Sequence, residues 1–260
     1  MTMAADTREV SVGGAQAIRR AIDVVKAVAR LQRMGASLNR VKQATDLNTS
    51  TAFRILRSLT EERMLRFDET DRHYHLGELA FELGLAAQSQ NPIPSEWRDA
   101  VDTVARNTRL TTYLMARSDS EAICLLCVQG STAIRAMPID VGERLPLGIG
   151  AGSLAILSTL DDEEVRQIVA GHQAQLDPFP GGRREALDIL KRVETTRRLG
   201  YALSTGTVAK GLAGIGVAIQ PRRGLIQLAL SVSLVADTIG SADVQQIASV
   251  IAAAIKSRGS

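Results

Sequence analysis

Aromatic residues are scarce in this chain of 260 residues: they make up 3% of it, although 45% of the residues are hydrophobic. Leu, Ile, Val and Ala must therefore fill any core, which favours helices and aliphatic strands. No apolar run reaches the roughly 18 residues that a membrane-spanning helix requires. The polar N-terminal segment also lacks the continuous apolar stretch of a signal peptide. These absences predict a cytoplasmic protein, with residues 1–13 as a disordered tail.

Cysteine and histidine are also rare, with two and three copies. Cys124 and Cys127 lie in the apolar run EAICLLCVQG, which is typical of a buried strand. Residues three apart on a regular strand face opposite sides, so the pair is expected to be structural rather than a metal or redox motif. His73, His75 and His172 show no metal-ligand spacing with the cysteines. The sequence predicts no metal site and no cofactor.

The charge is small and unevenly distributed. The formal net charge is +3, and residues 1–76 hold 13 Lys and Arg against 9 Asp and Glu, while the rest holds 18 against 19. A modest basic excess is either an ordinary solvated surface or part of a nucleic-acid-binding region. The length allows two domains, so the first third is treated as a separate unit.

Three helices are predicted in this first third. Residues 17–31 show the spacing of a helix with one core-facing stripe. Ser37 caps a short helix over 38–44, residues 45–47 form a turn, and a third helix runs over about 48–61. The predicted core stripe of the first helix consists of Ile18, Ala21, Ile22, Val25, Val28 and Ala29.

The third helix has two contrasting faces. Ala52, Ile55, Leu56 and Leu59 cluster on one side and are expected to face the core. The opposite side is polar and basic, with no acid before Glu61. A short helix, a tight turn and such a second helix form a helix-turn-helix, whose second helix enters the DNA major groove. The residues expected to contact DNA are Thr49, Ser50, Thr51, Phe53, Arg54 and Arg57.

These residues suit different contacts. The hydroxyl and backbone N–H groups of residues 49–51 can hold a phosphate or read a base edge. Arg54 and Arg57 suit groove and phosphate contacts. Phe53 lies at the edge of the apolar stripe, where it suits contact with a thymine methyl.

A β-hairpin is predicted directly after the third helix. Leu65, Phe67, Tyr74 and Leu76 alternate with polar residues on either side of a turn at 68–72. The hairpin is either the wing of a winged helix-turn-helix or a surface hairpin that only covers the core. As a wing it would bring Arg66, Arg72 and His73 to phosphates or the minor groove.

The rest of the chain predicts an antiparallel sheet flanked by helices, and hence an α+β domain. Strands are expected at 110–117, 121–128, 132–138, 201–205, 215–220 and 225–234. Helices are expected at 95–107, 152–160, 161–170, 184–200 and 243–257.

The chain contains, in order, the blocks AIRRAIDVVKAV, LNRVKQATDLNTSTAFRILRSLTEERML, YHLGELAFELG, VGERLPLGIGAGSLAIL, RRLGYALS, KGLAGIGVAI and LALSVS. In these blocks it resembles the IclR-type family of bacterial transcriptional regulators over nearly its whole length. The resemblance implies a winged helix-turn-helix domain (14–76), a linker helix (77–91) and a GAF-like effector-binding domain (92–260). It also implies a homodimer or dimer of dimers that binds double-stranded operator DNA under the control of a small molecule.

The same resemblance places effector contacts in the second domain, at Leu145, Ala151, Gly152, Ser204, Gly214, Ser231 and Ser233. Small residues there either let backbone amides approach a ligand or only allow close packing. Apolar walls with a few polar groups are typical of ligand pockets.

The chain departs from the family pattern in several places. Asp46 replaces the usual Gly of the turn, and Asp tolerates the left-handed conformation. Gly206 and Thr207 stand where the family has an acidic pair. Gly214 replaces a Cys of the family, Ala218 a Pro and Gly148 a His. Losing polar groups favours an effector larger than a two- or three-carbon acid, such as an aromatic or alicyclic compound.

The alternative is a GAF-type enzyme or metabolite-binding module with a vestigial DNA-binding domain. Ser153 lacks the context of a nucleophile elbow, and GIGAG lacks the residues of a phosphate-binding loop. The acidic run 161–164 suits the first turn of a helix. Because no catalytic set assembles, no enzyme activity is predicted.

Overall fold

A computed structural model describes residues 12–31, 35–90, 93–132, 139–171, 176, 179–180, 183–220, 226–238 and 240–258. The chain divides into two compact units, residues 1–91 and 92–260. Among the described residues, no helix is both long and apolar enough to cross a membrane. Residues 1–11 of the predicted tail lie outside the described part, and its last two residues belong to the first helix, which begins at Val12.

The N-terminal unit is a winged helix-turn-helix, as the sequence predicts. Its three helices pack around Val28, Val41 and Leu56, whose side chains are fully buried. Its elements are α1 (Val12–Leu31), α2 (Leu38–Thr45), α3 (Thr49–Glu61), β1 (Leu65–Asp68), β2 (His73–Leu76) and α4 (Glu78–Gln90).

The turn between α2 and α3 is fixed by local signals. Ser37 accepts a hydrogen bond from a backbone N–H in the first turn of α2. Asp46 adopts the left-handed conformation at φ 52°, and its N–H bonds the carbonyl of Lys42. Asn48 then caps α3 by accepting a hydrogen bond from the Thr51 N–H at 2.9 Å. The caps and the left-handed residue therefore end one helix and start the next within three residues.

The predicted core face of α1 is right at Val28 and wrong at Ile18 and Ile22. Val24, Ala27 and Val28 are buried, whereas Ile18 and Ile22 are 63% and 49% exposed. Both sets of residues obey helical spacing, because α1 carries apolar residues on two sides. Spacing alone could not show which side faces α2 and α3.

The C-terminal unit is a six-stranded antiparallel sheet with helices on both faces. The strand order is β5-β4-β3-β8-β7-β6. Helices α5 and α9 cover one face, and α6 packs on the other with α8 behind it. The elements are α5 (Ile93–Thr108), β3 (Thr111–Ser118), β4 (Glu121–Val128), β5 (Arg144–Pro146), α6 (Ala151–Leu157), α7 (Asp162–Gly171), α8 (Arg183–Leu199), β6 (Ala202–Thr205), β7 (Leu212–Ile219), β8 (Leu228–Val235), a 3₁₀ turn (Ala236–Thr238) and α9 (Ser241–Arg258).

Two strands differ from the prediction. The short edge strand β5 was not expected, because its three residues form no recognisable alternation. The strand expected at 132–138 lies, from residue 133 onward, outside the described residues.

The two cysteines lie on the same side of the sheet, contrary to the prediction. Cys124 and Leu126 pair with adjacent residues of β3, so Leu125 is the extra residue of a β-bulge. The bulge shifts the alternation and places Cys124 and Cys127 on the face that carries Tyr113. Burial, chiefly, raises the pKa of Cys124 to about 12, so its thiol is protonated at neutral pH. Cys127 is half-buried.

Candidate DNA interface and effector pocket

The outer face of α3 is exposed. Phe53 is 50% exposed, and Arg54 and Arg57 both point into solvent. The two arginines differ in their partners: Arg57 Nε lies 2.8 Å from a carboxylate oxygen of Glu61, whereas Arg54 has no ion pair with the described residues. Arg54 is therefore the less restrained cation on this face.

Asn48 organises the start of α3. Its side-chain oxygen accepts hydrogen bonds from the Thr51 N–H and from the Ser50 hydroxyl, both at 2.9 Å. Thr49 and Ser50 remain exposed. Asn48 was not among the residues expected at this surface, although asparagine directly before a helix is a strong capping signal.

The wing residues expected to contact DNA each have a partner within the hairpin or beside it. Arg66 pairs with Asp68 at 3.3 Å, and the Arg72 guanidinium lies over the Phe67 ring, 5.4 Å from its centroid. The His73 ring lies so close to Gly35 that a Cβ there would be 2.3 Å from it. To reach DNA, each of these side chains would have to move away from its partner or bind DNA in addition to it.

The tip of the wing is acidic. Residues 65–76 contain Asp68, Glu69 and Asp71 against two arginines. Asp71 Oδ2 lies 3.2 Å from His75 Nε2 and 3.6 Å from His73 Nδ1. The possible metal-ligand atoms of Asp68, Asp71 and His75 lie within 4.8 Å of one another. In the sequence the histidines were compared only with the cysteines, so this group of side chains was not predicted. The Thr70 N–H donates to Asp68 and, as the largest effect, holds the pKa of that carboxyl below its usual value.

A groove separates α3 from the wing. Phe53 and Arg57 form one side, and the rings of Phe67 and Tyr74, 4.8 Å apart, form the other. The groove thus brings Phe53 close to the wing. The complete lining is Ser37, Leu38, Asn39, Phe53, Arg57, Thr60, Glu61, Phe67, Arg72 and Tyr74.

The seven residues expected to contact an effector all line one pocket, between the start of α6 and strands β3, β7 and β8. Its volume is about 50 Å³. Part of the lining was not predicted, above all Tyr113, because that side chain comes from the middle of an apolar strand. Besides the seven expected residues, the lining contains Tyr113, Met115, Ile139, Gly150, Ser153, Thr207, Val208, Leu212, Ala213 and Val232.

Hydroxyl groups supply the polar side chains of this pocket. Tyr113 Oη lies 3.3 Å from Ser233 Oγ, and Ser204 Oγ lies 2.5 Å from Thr207 Oγ1. Ser231 Oγ has no hydrogen-bond partner among the described residues. Burial raises the pKa of Tyr113, so its phenol stays protonated.

Close packing requires the glycines of the pocket. A Cβ on Gly152 would lie 2.6 Å from Met115 Cγ and 2.8 Å from Ser231 Oγ. A Cβ on Gly214 would lie 3.2 Å from the Ala151 side chain. Protein atoms already occupy these positions, so packing of α6 on the sheet requires the small residues.

Two of the substituted family positions do not widen the pocket. Gly148 faces α8, where a Cβ would lie 2.9 Å from Ile189, and Gly206 has φ +70° in the turn before β7. Neither residue lines the pocket, whereas Thr207 and Gly214 do. The replacements at Gly148 and Gly206 therefore do not act on the pocket directly, because closeness in sequence to the pocket residues is not closeness in space.

The acidic run 161–164 has structural partners. Asp161 caps α7 by accepting a hydrogen bond from the Glu164 N–H at 2.8 Å, and Asp162 pairs with Arg197 at 2.5 Å. Glu164 pairs with Arg117. The Ser153 hydroxyl donates to a carbonyl of the preceding turn, Ile149. No histidine lies among the described residues that line the pocket beside Ser153.

A winged helix-turn-helix joined to a separate α+β unit with a small internal pocket defines a ligand-responsive DNA-binding regulator. The chain belongs to the IclR family of bacterial transcriptional regulators. Residues 17–69 match the IclR helix-turn-helix domain, and residues 85–257 match the C-terminal domain of bacterial IclR transcriptional regulators. It is accordingly a DNA-binding transcriptional regulator with an effector-binding C-terminal domain.

Individual relatives agree with this assignment. The chain is 27% identical over 227 residues to the HTH-type transcriptional repressor AllR of Escherichia coli K12, covering 86% of this chain and 82% of that one. An IclR family regulator from Brucella abortus has the same fold, with a TM-score of 0.77 at 18% identity over 97% of this chain and 96% of that one. The crystal structure of an IclR homolog from Microbacterium hydrocarbonoxydans in complex with 4-hydroxybenzoate also has this fold. Its TM-score is 0.67 at 19% sequence identity, over 93% of this chain and 98% of that one.

Proposed function

We propose that the outer face of α3 reads operator DNA, with Arg54 as its main side-chain contact. The observation that carries this proposal is the polar and basic surface formed by Thr49, Ser50, Arg54 and Arg57, which is exposed while Ala52 and Leu56 are fully buried. Thr49, Ser50 and Thr51 present hydroxyls at the helix start. Phe53 sits between this surface and the wing, where a thymine methyl would find an apolar partner.

The wing contributes contacts to the DNA backbone. Arg66, Arg72 and His73 lie on it, and a phosphate would compete with Asp68 for Arg66. Because the wing carries one more acid than arginine, its net contribution is weaker than that of α3. It adjusts affinity rather than supplying most of it.

The pocket in the C-terminal unit binds the effector, with Leu145, Ala151, Gly152, Ser204, Gly214, Ser231 and Ser233 in contact. The effector is larger than a two- or three-carbon acid and is aromatic or alicyclic. The apolar side chains Met115, Ile139 and Val208 support this, as does the 4-hydroxybenzoate complex of one homolog. A volume of about 50 Å³ holds only a few water molecules, so side chains must move to admit a ring, and binding changes the pocket's shape.

The chain acts as a homodimer or dimer of dimers in the cytoplasm, where bacterial DNA lies. Large apolar side chains are exposed on two helices of the N-terminal unit: Ile18 and Ile22 on α1, and Phe81 and Leu85 on α4. Exposed apolar groups of this kind are typical of protein interfaces. A second copy of the chain would cover them, and two copies would match the symmetry of a palindromic operator.

The C-terminal unit has no catalytic role, because the acids of 161–164 and the Ser153 hydroxyl form hydrogen bonds and ion pairs that stabilise the local structure. A metabolite-binding module with a vestigial DNA domain is the competing function, and the acidic wing favours it. A gel-shift titration of the full chain on its own upstream DNA separates the two, with shuffled DNA of equal length as control. Saturable binding at least tenfold tighter than to the control supports the regulator, and equal binding to both supports the module.

A further inference from the structure

Two aspartates and two histidines meet on the polar face of the wing. Asp68 lies opposite His73 in the register of the hairpin, and His75 lies two residues further along β2. Residues two apart on a strand point to the same face, so both imidazoles lie on the side of Asp68. Asp71 belongs to the turn that joins the two strands. The apolar side chains of the hairpin pack on the core of the N-terminal unit, which leaves the opposite face to these polar groups.

Three of these side chains place their possible ligand atoms close together. The donor atoms of Asp68, Asp71 and His75 lie within 4.8 Å of one another. Asp71 Oδ2 lies 3.2 Å from His75 Nε2, and the His75 side chain is 24% exposed. Zinc ligands lie about 2.0 to 2.2 Å from the ion, so two of them are about 3.4 Å apart in a tetrahedral site. Side-chain rotation covers the remaining difference, which is at most roughly 1.4 Å.

The backbone of the turn orients both carboxylates. Asp68 Oδ1 accepts a hydrogen bond from the Thr70 N–H, and Asp71 Oδ1 accepts one from the His73 N–H, both at 2.9 Å. The other oxygen of each carboxylate is thereby left to side-chain partners. It lies 3.3 Å from Arg66 Nη1 in Asp68 and beside both imidazoles in Asp71. Hydrogen bonds that orient a carboxylate in this way are usual around metal ligands.

The donor set selects the kind of ion. Mg²⁺ and Ca²⁺ take oxygen ligands, whereas an imidazole nitrogen suits zinc and its neighbours in the first transition series. Two carboxylate oxygens and one imidazole nitrogen leave a zinc ion one further position in a tetrahedral site. Residues 65–76 also carry a net charge of −1, with two arginines against Asp68, Glu69 and Asp71. This charge attracts a cation to the wing.

We propose that Asp68, Asp71 and His75 bind one divalent transition-metal ion, such as zinc, and that this ion strengthens the contact of the wing with DNA. The ion takes the Asp68 carboxylate from Arg66, whose guanidinium then becomes available to a phosphate. The net charge of residues 65–76 changes from −1 to +1, because the ion adds two positive charges. The metal site stands by itself, whereas its effect on DNA rests on the proposed role of the wing.

The first test titrates ZnCl₂ into the full chain at pH 7.5 by calorimetry, after dialysis against a chelator, with MgCl₂ as the comparison. One zinc ion should bind per chain, at least about tenfold more tightly than magnesium. Asp71→Asn and His75→Gln each remove one ligand and should weaken zinc binding at least about tenfold. An asparagine side chain still accepts the hydrogen bond from the His73 N–H, so Asp71→Asn retains the turn.

Glu69→Gln is the matched control, because it removes the same charge from the same turn without removing one of the three ligands. It should change the zinc affinity about twofold at most, as expected for an exposed charge. Urea unfolding of each variant without metal shows whether a lower zinc affinity reflects a loss of folding. If His75→Gln unfolds, Asp71→Asn decides.

The second test measures the affinity for upstream DNA by fluorescence anisotropy, once with saturating zinc and once with EDTA. Zinc should tighten binding of the wild type about threefold to tenfold at low salt, and the gain should shrink as the salt concentration rises. Asp71→Asn should show no gain with zinc, because it lacks one of the ligands.

Three results overturn the metal site: zinc does not bind, magnesium binds as tightly as zinc, or Glu69→Gln weakens zinc binding as much as Asp71→Asn does. Zinc that binds through the three ligands without changing the affinity for DNA supports the site and overturns its effect on DNA. If the chain binds no operator in either condition, the proposed DNA-binding function fails, and the zinc titration still decides the metal site.

Discussion

Arg57 Nε lies 2.8 Å from the Glu61 carboxylate, one turn further along α3. Both side chains are largely exposed, so the pair contributes little to stability. The ion pair matters for DNA recognition, because Arg57 must leave the Glu61 carboxylate before it can bind a DNA phosphate. Arg54 has no ion pair to break within the described structure. The two arginines of one helix face should therefore differ in their effect on DNA binding.

Arg54→Ala should weaken operator binding at least about tenfold, since a base or phosphate contact contributes about 1 to 3 kcal/mol. The thermal midpoint should change little because Arg54 is exposed. Fluorescence anisotropy with labelled upstream DNA measures the affinity. Arg98→Ala removes the same charge from an exposed position on α5 and should have no comparable effect. Wild-type affinity in Arg54→Ala would contradict the proposed interface.

Phe53→Ala should reduce discrimination at one base pair of the operator, because a 50% exposed ring beside the recognition surface suits contact with a thymine methyl. Unfolding in urea should show little change. Phe67→Ala is the contrast, since that ring packs against Tyr74 at 4.8 Å and under Arg72, so its loss should destabilise the unit. If Phe53→Ala destabilises as much as Phe67→Ala, Phe53 serves the core instead.

Glu69→Gln should tighten operator binding about twofold to fivefold at low salt, as expected when one exposed repulsion of about 0.5 to 1 kcal/mol is removed. Glu69 is exposed at the tip of the acidic wing. The gain should vanish near 1 M salt, where charges are screened beyond about 3 Å. Glu194→Gln makes the same charge change on an exposed position of α8. Equal effects of the two substitutions would mean that the wing does not approach DNA.

Local signals made much of the N-terminal unit predictable. Ser37, Asp46 and the apolar stripe of α3 each act within a few residues, so the sequence shows both the turn and the outer face. The exposed side of α1 was not predictable, because two apolar stripes compete and only tertiary packing chooses between them. The bulge at Leu125 and the position of Tyr113 depend on strand pairing across the sheet, which no local pattern records.

Cys124 should make stability sensitive to alkaline pH. Burial is the largest cause that raises its pKa from 9.0 to about 12. The contribution of the protonated thiol to the free energy of unfolding is therefore complete below pH 9 and is lost as the pH rises from about 9 towards 12. Urea unfolding at pH 8, 9, 10 and 11 should show a steeper loss for the wild type than for Cys124→Ala, by at most about 1.4 kcal/mol per pH unit. Parallel pH profiles would show that Cys124 ionises freely in the folded protein.

Gly216→Ala should destabilise the C-terminal unit and weaken binding of 4-hydroxybenzoate, used as a probe of the proposed effector pocket. An added Cβ would lie 2.6 Å from the oxygen and 2.7 Å from the carbonyl carbon of Ala151. Both are backbone atoms, so no flexible side chain can move aside and the start of α6 must shift, at a cost of about 1 to 3 kcal/mol.

The matched control is Gly84→Ala on α4, where an added Cβ has no neighbour within 4 Å among the described residues. It should stabilise the helix by about 0.5 to 1 kcal/mol, because alanine loses less conformational freedom on folding. Urea unfolding and calorimetry with 4-hydroxybenzoate measure both variants. If Gly216→Ala unfolds and binds like the wild type, α6 does not depend on contact with β7, and the close packing assigned to this wall of the pocket is wrong.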